Sequence, residues 1–252
     1  TSSSCHRIHM PSSKSRPSRP IVLEPCKAHH LLQSCMRHPA TNKHLIICST
    51  RDALLQSLLY EVIQESQDEH STALDLLAPT LSNLHNSRNT QITFCSDLNN
   101  LRAYLTTLTH LDQPKQVEPE SKDAQDQTCP LLMIINPIRI HEQTLSYSAQ
   151  GFNRTFAAIV QVAHSIGKQL VMVECINLED EYETGVQEDE DMLDESHLST
   201  NAWDRDLTML NITTKTFGAG ERAWVGRTVR IRQVAERWCE FRKLEDYSAG
   251  LV

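Results

Sequence analysis

Short apolar runs that alternate with longer amphipathic segments most strongly constrain the fold of this chain. The clearest run, 131–135, is followed by helical spacing of apolar residues over about 149–166. An uninterrupted apolar run of this length predicts a strand buried on both faces. Strands that alternate with helices predict βαβ units, and therefore a mostly parallel sheet.

Similar runs occur at 44–49, 91–95 and 170–175. After the first of them a helix is predicted to open at Thr50. Its apolar residues recur at helical spacing and predict a wide buried stripe. The stripe consists of Leu54, Leu55, Leu58, Leu59, Val62 and Ile63.

The pattern changes near the carboxyl end of the chain. Residues 207–217 form a Thr-rich run, and 227–234 alternate between polar and apolar residues. This alternation predicts an antiparallel hairpin with one face in water. We therefore expect a parallel α/β core that ends in an antiparallel hairpin.

The pattern of strands and helices begins near Lys43 and predicts one folded domain over 43–245, preceded by a largely disordered basic segment over 1–42. The beginning of that segment is rich in Ser, Pro and bases, which cannot bury enough apolar surface to offset the entropy of ordering. Two flexible loops are expected near 112–128 and 178–201. The second contains ten acids and no base within 179–195, and its role stays open.

The overall composition excludes some classes of protein. The net charge is −8, which argues against a protein that coats nucleic acid. No apolar run reaches the ~18 residues of a membrane span, so we expect no membrane partner. The eight cysteines show no disulfide spacing, which favours free thiols in a reducing compartment.

A nucleotide site is not expected at the end of the first predicted strand. A phosphate-binding loop needs closely spaced glycines and a lysine, whereas this strand runs into Ser49, Thr50 and Arg51, and no glycine precedes Gly151. The strand at 131–135 ends in Asn136, and a neutral amide is a weak ligand for Mg²⁺. These residues predict a degenerate nucleotide site and no cofactor.

One cysteine–histidine cluster leaves a metal question open. Cys26, His29, Cys35 and His38 are zinc-donor residue types. The same segment fits a helix that packs its leucines inward, and short clusters of this kind often bind no metal. We therefore assign no metal here.

A basic segment near the carboxyl end is the candidate nucleic-acid surface. Between 215 and 243 there are eight bases and three acids. Arginine binds phosphates with paired hydrogen bonds, and nearby tryptophans can stack on bases. The predicted DNA-binding residues are Lys215, Arg222, Arg227, Arg230 and Arg232. An ordinary solvated edge hairpin explains the same residues equally well, and the acidic segment could mask them.

Four blocks in order are similar to the central region of eukaryotic RecA-type recombinases. They are 131–138, the small-residue loop at 146–151, the helix around 154–158, and 166–174 with its buried strand. Residues 209–217 and 226–232 resemble the closing strands of that family. The resemblance covers about 43–242 and implies a three-layer RecA-like core with a C-terminal antiparallel hairpin.

The chain departs from the family pattern in two places: it lacks the phosphate-binding loop, and Asn136 ends the strand where the family has a magnesium-binding acid. These departures imply a degenerate paralog that resembles the Shu-type recombination mediators. This likeness implies a non-catalytic pseudo-ATPase in a homologous-recombination DNA repair complex in the nucleus. It further implies a hetero-oligomer with other RecA-like paralogs, help in recombinase loading, and contact with single- or double-stranded DNA.

Two other functions fit the same pattern. The RecA-like accessory subunits of Elongator, which act in tRNA modification, also lack the nucleotide motifs. A scaffold subunit of another complex is a third reading. The sequence does not discriminate between these complexes or identify the partner subunits.

Overall fold

The structure is a computed structural model that describes residues 19–40, 42–65, 78–111, 129–176, 201–209 and 228–249. The strands are β1 (Ile21–Cys26), β2 (Lys43–Ile47), β3 (Thr90–Phe94), β4 (Leu131–Ile135), β5 (Gln169–Cys175), β6 (Asp206–Thr208), β7 (Thr228–Arg230) and β8 (Glu240–Arg242). The α-helices are α1 (Ala28–Arg37), α2 (Arg51–Glu65), α3 (Leu81–Arg88), α4 (Leu98–Leu111), α5 (Ala149–Ser165), α6 (Ile231–Ala235) and α7 (Leu244–Ala249). Short 3₁₀ turns cover Arg139–His141 and Ala202–Asp204.

Six strands form one parallel sheet in the order β3-β2-β4-β5-β1-β8. A separate small sheet pairs β6 with β7 in antiparallel fashion. This architecture confirms the predicted α/β fold, and it is consistent with a RecA-like three-layer core with a short antiparallel pair.

Helices cover both faces of the sheet. On one face, Leu31 of α1 and Tyr247 of α7 pack on one set of strand residues, including Leu45 and Met133. On the other face, α4, α5 and α6 pack with Trp203 on the alternate strand residues. Since side chains of a strand alternate between faces, the continuous apolar runs supply both cores.

The predicted amino-terminal boundary at 42 is wrong, because residues 21–37 belong to the fold. β1 lies between β5 and β8, and Val22 and Leu23 have no exposed surface. The helix α1 follows after a single residue, Lys27. Residues 1–18, 112–128 and 177–200, which carry the other predicted disordered segments, lie outside the described residues.

Of the predicted hairpin, the described residues contain a pair of three-residue strands, and residues 210–227 lie outside them. Three residues of β7 pair with β6, Arg230 opposite Asp206, and α6 begins directly at Ile231. The alternation over 227–234 therefore does not continue as a strand. Ile231, Val234 and Ala235 are all buried on one side of α6, because positions i, i+3 and i+4 share one face of a helix.

The helix α5 has the ends that its sequence predicts. The hydroxyl of Ser148 accepts a hydrogen bond from the Gly151 N–H at 3.2 Å and caps the first turn. Beyond its carboxyl end, Gly167 takes a φ of +67°, which favours glycine. Gly151 is required for another reason: a Cβ atom there would lie 2.0 Å from the backbone oxygen of Ser146.

The predicted buried stripe of α2 is only partly buried. Val62 lies in the interior, but Leu55, Leu59 and Ile63 are 50%, 61% and 50% exposed. Glu61, in contrast, is 1% exposed. The apolar spacing identified the helix correctly but not the face that it buries. None of the helices in the described part of the chain has the length and apolar character to cross a membrane.

Candidate functional site

Two of the four predicted degenerate nucleotide residues meet at the carboxyl edge of the sheet. Ser49 and Asn136 line a shared pocket with Ala28 and Arg139. The pocket encloses only about 20 Å³, room for about one water molecule, whereas ligand sites occupy roughly 300–1,000 Å³. Thr50 instead caps α2, its hydroxyl accepting from the Ala53 N–H at 3.2 Å, and Arg51 is the first residue of that helix.

Asn136 joins the ends of two neighbouring strands. Its backbone adopts a left-handed φ of 61°, a conformation that Asn tolerates better than most residues. Its Oδ1 accepts a hydrogen bond from the Cys175 N–H at 2.8 Å, and its own N–H donates to the Val173 oxygen at 2.8 Å. Through these two hydrogen bonds Asn136 links the end of β4 to β5.

Glu174 lies beside this link and is 4% exposed. Its carboxyl oxygen accepts a hydrogen bond from the Ile138 N–H. Burial raises the pKa of Glu174 to about 8, although the Ile138 hydrogen bond opposes the shift. The side chain therefore caps the loop after β4 and is mostly protonated at neutral pH.

The amino terminus of α1 is occupied by a side chain of α2. Oε1 of Glu61 accepts from the Ala28 N–H at 3.0 Å, and Oε2 accepts from the His29 N–H at 2.9 Å. Free N–H groups at a helix start are a natural binding site for phosphate or carboxylate. Here the protein's own buried carboxylate takes that position.

The carboxylate of Glu61 also belongs to a compact cluster of charged and polar groups. Oε2 of Glu61 also lies 2.9 Å from Nδ1 of His29, and Nε2 of His29 lies 2.8 Å from Oε2 of Glu65. The ammonium of Lys27 lies 2.8 Å from Oε1 of Glu65. His30 stands next to His29 with ring centroids 4.1 Å apart, and partial burial lowers its pKa.

This arrangement differs from the zinc-donor set considered from the sequence. Within the described ranges, the donors that converge are His29, His30 and Glu65, not a cluster of Cys26, His29, Cys35 and His38. Burial raises the pKa of Cys26 to about 12 and that of Cys35 to about 11, so both thiols stay protonated. The helical interpretation of this segment is confirmed: α1 buries Leu31.

Arg232 is engaged within the protein. Its guanidinium makes a paired contact with Glu24, at 2.8 and 2.9 Å, and its Nε donates to Asp204 at 3.0 Å. The guanidinium carbon also lies 4.2 Å from the ring centroid of Phe241. These hydrogen bonds raise the pKa of Arg232 and lower that of Glu24. Arg232 therefore ties α6 to β1 and to the 3₁₀ turn at 202–204.

The other predicted DNA-binding residues have different positions. Arg230 is exposed at the end of β7. Lys215, Arg222 and Arg227 lie outside the described residues. The structure thus leaves one of the five arginines and lysines, Arg230, on a described open surface.

His141, in the loop after β4, is a buried polar residue that the sequence analysis did not identify. The ring is fully buried and stacks on Phe152, with centroids 4.1 Å apart. Burial lowers its pKa to about 4, so the ring is neutral. Its neighbour Glu142 instead reaches Arg205 at 2.7 Å. The dipeptide is therefore structural.

One side of the sheet carries exposed apolar residues near its β3 edge. Ile92 and Phe94 of β3 are 50% and 37% exposed. They pair in register with Leu45 and Ile47 of β2, so they share the face that α1 covers elsewhere. We define the apolar surface as these two residues together with the exposed residues of α2 and α3. Its members are Leu55, Leu59, Ile63, Leu81, Leu84, Ile92 and Phe94.

Together these features define a three-layer α/β protein with a parallel sheet. At two of the described junctions between a strand and a helix, β1 to α1 and β2 to α2, no glycine is present. No protein-family model matches the sequence, and no curated protein is significantly similar to it.

Proposed function

We propose that this chain is a non-catalytic RecA-like subunit of a homologous-recombination DNA repair complex in the nucleus. In this role it pairs with other RecA-like paralogs, assists recombinase loading and contacts DNA. The observation that carries the pairing is the apolar surface on the β3 side of the sheet. The assignment to recombination rests on the resemblance of residues 43–242 to RecA-type recombinases.

The apolar surface has the composition of a subunit interface. Leu55, Leu59 and Ile63 follow one another at i, i+4 and i+8 on α2 and are each at least half exposed. Single exposed apolar residues are ordinary, whereas several on one face of a helix often mark a binding surface. Such a helix stripe fits an apolar groove of another folded subunit.

The edge strand β3 offers a second means of pairing. Within the described residues it pairs only with β2, so it forms one edge of the described sheet. An edge strand with exposed Ile92 and Phe94 invites addition of a strand from a partner. Paralogs that contribute a similar sheet edge or an extended segment satisfy this requirement.

The absence of a glycine cradle at the two junctions supports a role without nucleotide turnover. Phosphate binding at a helix start needs free N–H groups, whereas those of Ala28 and His29 are bonded to Glu61. The proposal therefore places the function on surfaces and not in a nucleotide pocket.

DNA contact is proposed through Arg230 and through Lys215, Arg222 and Arg227 of the adjoining segment. An exposed arginine on a short ribbon, such as Arg230, suits contact with the phosphate backbone, which depends on salt and not on sequence. Arg232 is no longer part of this surface, because Glu24 and Asp204 hold its guanidinium.

Purification of the tagged chain from its native cells, with identification of bound proteins, tests the proposal. RecA-like paralogs or a recombinase among the partners are the expected result. Elongator subunits would instead assign the chain to tRNA modification. If neither RecA-like proteins nor Elongator subunits are recovered after mild cross-linking, the chain would be assigned as a scaffold of a different complex. This result would contradict the proposal.

A further inference from the structure

We propose that His29, His30 and Glu65 form a binding site for Zn²⁺ that joins the start of α1 to the end of α2. One donor atom of each residue lies within 4.8 Å of the other two. His29 and His30 are the second and third residues after Lys27, and Glu65 is the last residue of α2. The inference is independent of the proposed role in recombination.

The contacts of the His29 ring call for a positive charge beside it. Nδ1 faces Glu61 Oε2 at 2.9 Å, and Nε2 faces Glu65 Oε2 at 2.8 Å. A neutral imidazole carries a proton on only one nitrogen, so it can donate to only one of the two carboxylates. Despite this short distance, the buried Nε2 atom has no hydrogen-bond partner among the described residues, which leaves it to bind a cation, either another proton or a metal ion.

Glu61 fixes the orientation of His29 for metal binding. A histidine that binds zinc usually donates its other ring N–H to a carboxylate, which sets the tautomer and strengthens the ligand. The Nδ1–Glu61 contact has this form. Glu61 is itself held by the Ala28 and His29 N–H groups, so the ring is rigidly supported with Nε2 2.8 Å from Oε2 of Glu65.

The position of His30 favours a metal ion over a second proton as the cation bound at Nε2 of His29. It adds a second imidazole to the pair of His29 and Glu65 and is the exposed member of the cluster. Two imidazoles and one carboxylate form a known zinc donor set with a fourth position open to water. Ligands around tetrahedral zinc stand about 3.4 Å apart, so a side-chain adjustment of His30 closes the site.

Lys27 supports the carboxylate without taking its metal-binding oxygen. Its ammonium contacts Oε1 of Glu65, whereas Oε2 faces His29. The cluster contains two carboxylates, those of Glu61 and Glu65, and one ammonium, that of Lys27. The cluster thus retains a net attraction for a cation. Imidazole donors favour Zn²⁺ over Mg²⁺ or Ca²⁺, which prefer oxygen ligands.

Metal binding to the untagged full chain tests the site. The protein is stripped with a chelator and titrated with Zn²⁺, and with Co²⁺ as a spectroscopic probe of tetrahedral coordination. We expect saturable binding that His30→Gln and Glu65→Gln each weaken at least about tenfold, and that Glu61→Gln weakens about 10–100-fold through His29. His85→Gln, an exposed histidine on α3, is the matched control.

Three results would overturn the proposal. The first is that the stripped chain binds neither ion. The second is that His30→Gln, whose exposed side chain leaves the fold intact, binds as tightly as the parent protein. The third is that binding is lost in a Cys26→Ser/Cys35→Ser variant but kept in His30→Gln, which would assign the metal to the cysteines. Circular dichroism confirms that each variant is folded.

Discussion

Glu61 lies 2.9 Å from His29 through its Oε2 and the ring Nδ1, and its two oxygens also accept the first N–H groups of α1. A single carboxylate on α2 thus satisfies three donors of a neighbouring helix. Both partners are about 1% exposed. These hydrogen bonds explain why the charged residue Glu61 is buried among the apolar residues of α2.

Removal of that carboxylate should destabilise the fold. Glu61→Ala leaves the Ala28 N–H, the His29 N–H and the His29 ring without an acceptor in a buried environment. We expect a loss of about 3 kcal/mol in the free energy of unfolding, measured by urea denaturation. Gln64→Ala, on an exposed position of the same helix, is the control. Equal effects of the two changes would contradict the assigned role of Glu61.

The buried Glu174 should make stability depend on pH. Burial raises its pKa from 4.5 to about 8, so the folded state holds the proton more tightly than the unfolded state. The contribution of this group is therefore fully present below pH 4.5 and is lost as the pH rises to about 8. The slope is about 1.4 kcal/mol per pH unit within this window.

Glu174→Gln should remove this slope, because the amide keeps an acceptor for the Ile138 N–H and has no proton to lose. Its stability relative to the parent protein should increase between pH 5 and pH 8, as measured by thermal unfolding. Glu236→Gln, on an exposed carboxylate, should run parallel to the parent protein. A parallel profile for Glu174→Gln would instead show that the carboxyl group is solvated.

Two glycines should respond differently to alanine. In Gly151→Ala the new Cβ meets the Ser146 backbone oxygen at 2.0 Å, so the loop or helix must shift at a cost of about 2–3 kcal/mol. In Gly167→Ala nothing lies within 4 Å of the new atom, and only the left-handed backbone costs about 1 kcal/mol. Chemical denaturation of both variants gives the order; the reverse order would contradict the close approach at Gly151.

Reversal of one exposed arginine tests the DNA contact. Arg230→Glu should weaken binding to a duplex or single strand about tenfold and reduce the steepness of its salt dependence. Arg88→Glu, exposed on α3 in the other helical layer, should bind DNA like the parent protein. Arg232→Glu is unsuitable as a probe, since it would place a carboxylate against Glu24 and Asp204. Unchanged binding by Arg230→Glu would leave β7 a structural edge.

The strands of the core could be predicted because their side chains face two apolar layers. Residues 131–135 form β4 with the predicted bounds, and every residue of β4 is buried. The strand β1 escaped prediction because only Ile21, Val22 and Leu23 supply its buried part. Three apolar residues beside a Ser- and Pro-rich basic segment carry too little periodicity to distinguish a central strand from a disordered tail.

The contacts of Arg232 and Glu61 join residues that are far apart in the sequence, so no local sequence pattern could predict them. Arg232 seemed to share a strand face with Arg230, but Thr-Val-Arg-Ile-Arg also fits the entry into a helix that buries Ile231. The burial of Glu61 depends on donors of α1, which lie 32 and 33 residues earlier. Charged residues are rarely buried unless paired, and such pairs are set by tertiary packing.

Association through the apolar surface is the most direct test of the pairing. Leu59→Asp, at a residue that is 61% exposed, is compared with Leu145→Asp at a fully exposed leucine outside that surface. Affinity purification with quantitative mass spectrometry measures the RecA-like partners recovered by each. The account predicts that Leu59→Asp loses at least about 90% of those partners, while Leu145→Asp keeps them. Equal recovery of RecA-like partners by the two folded variants would contradict it.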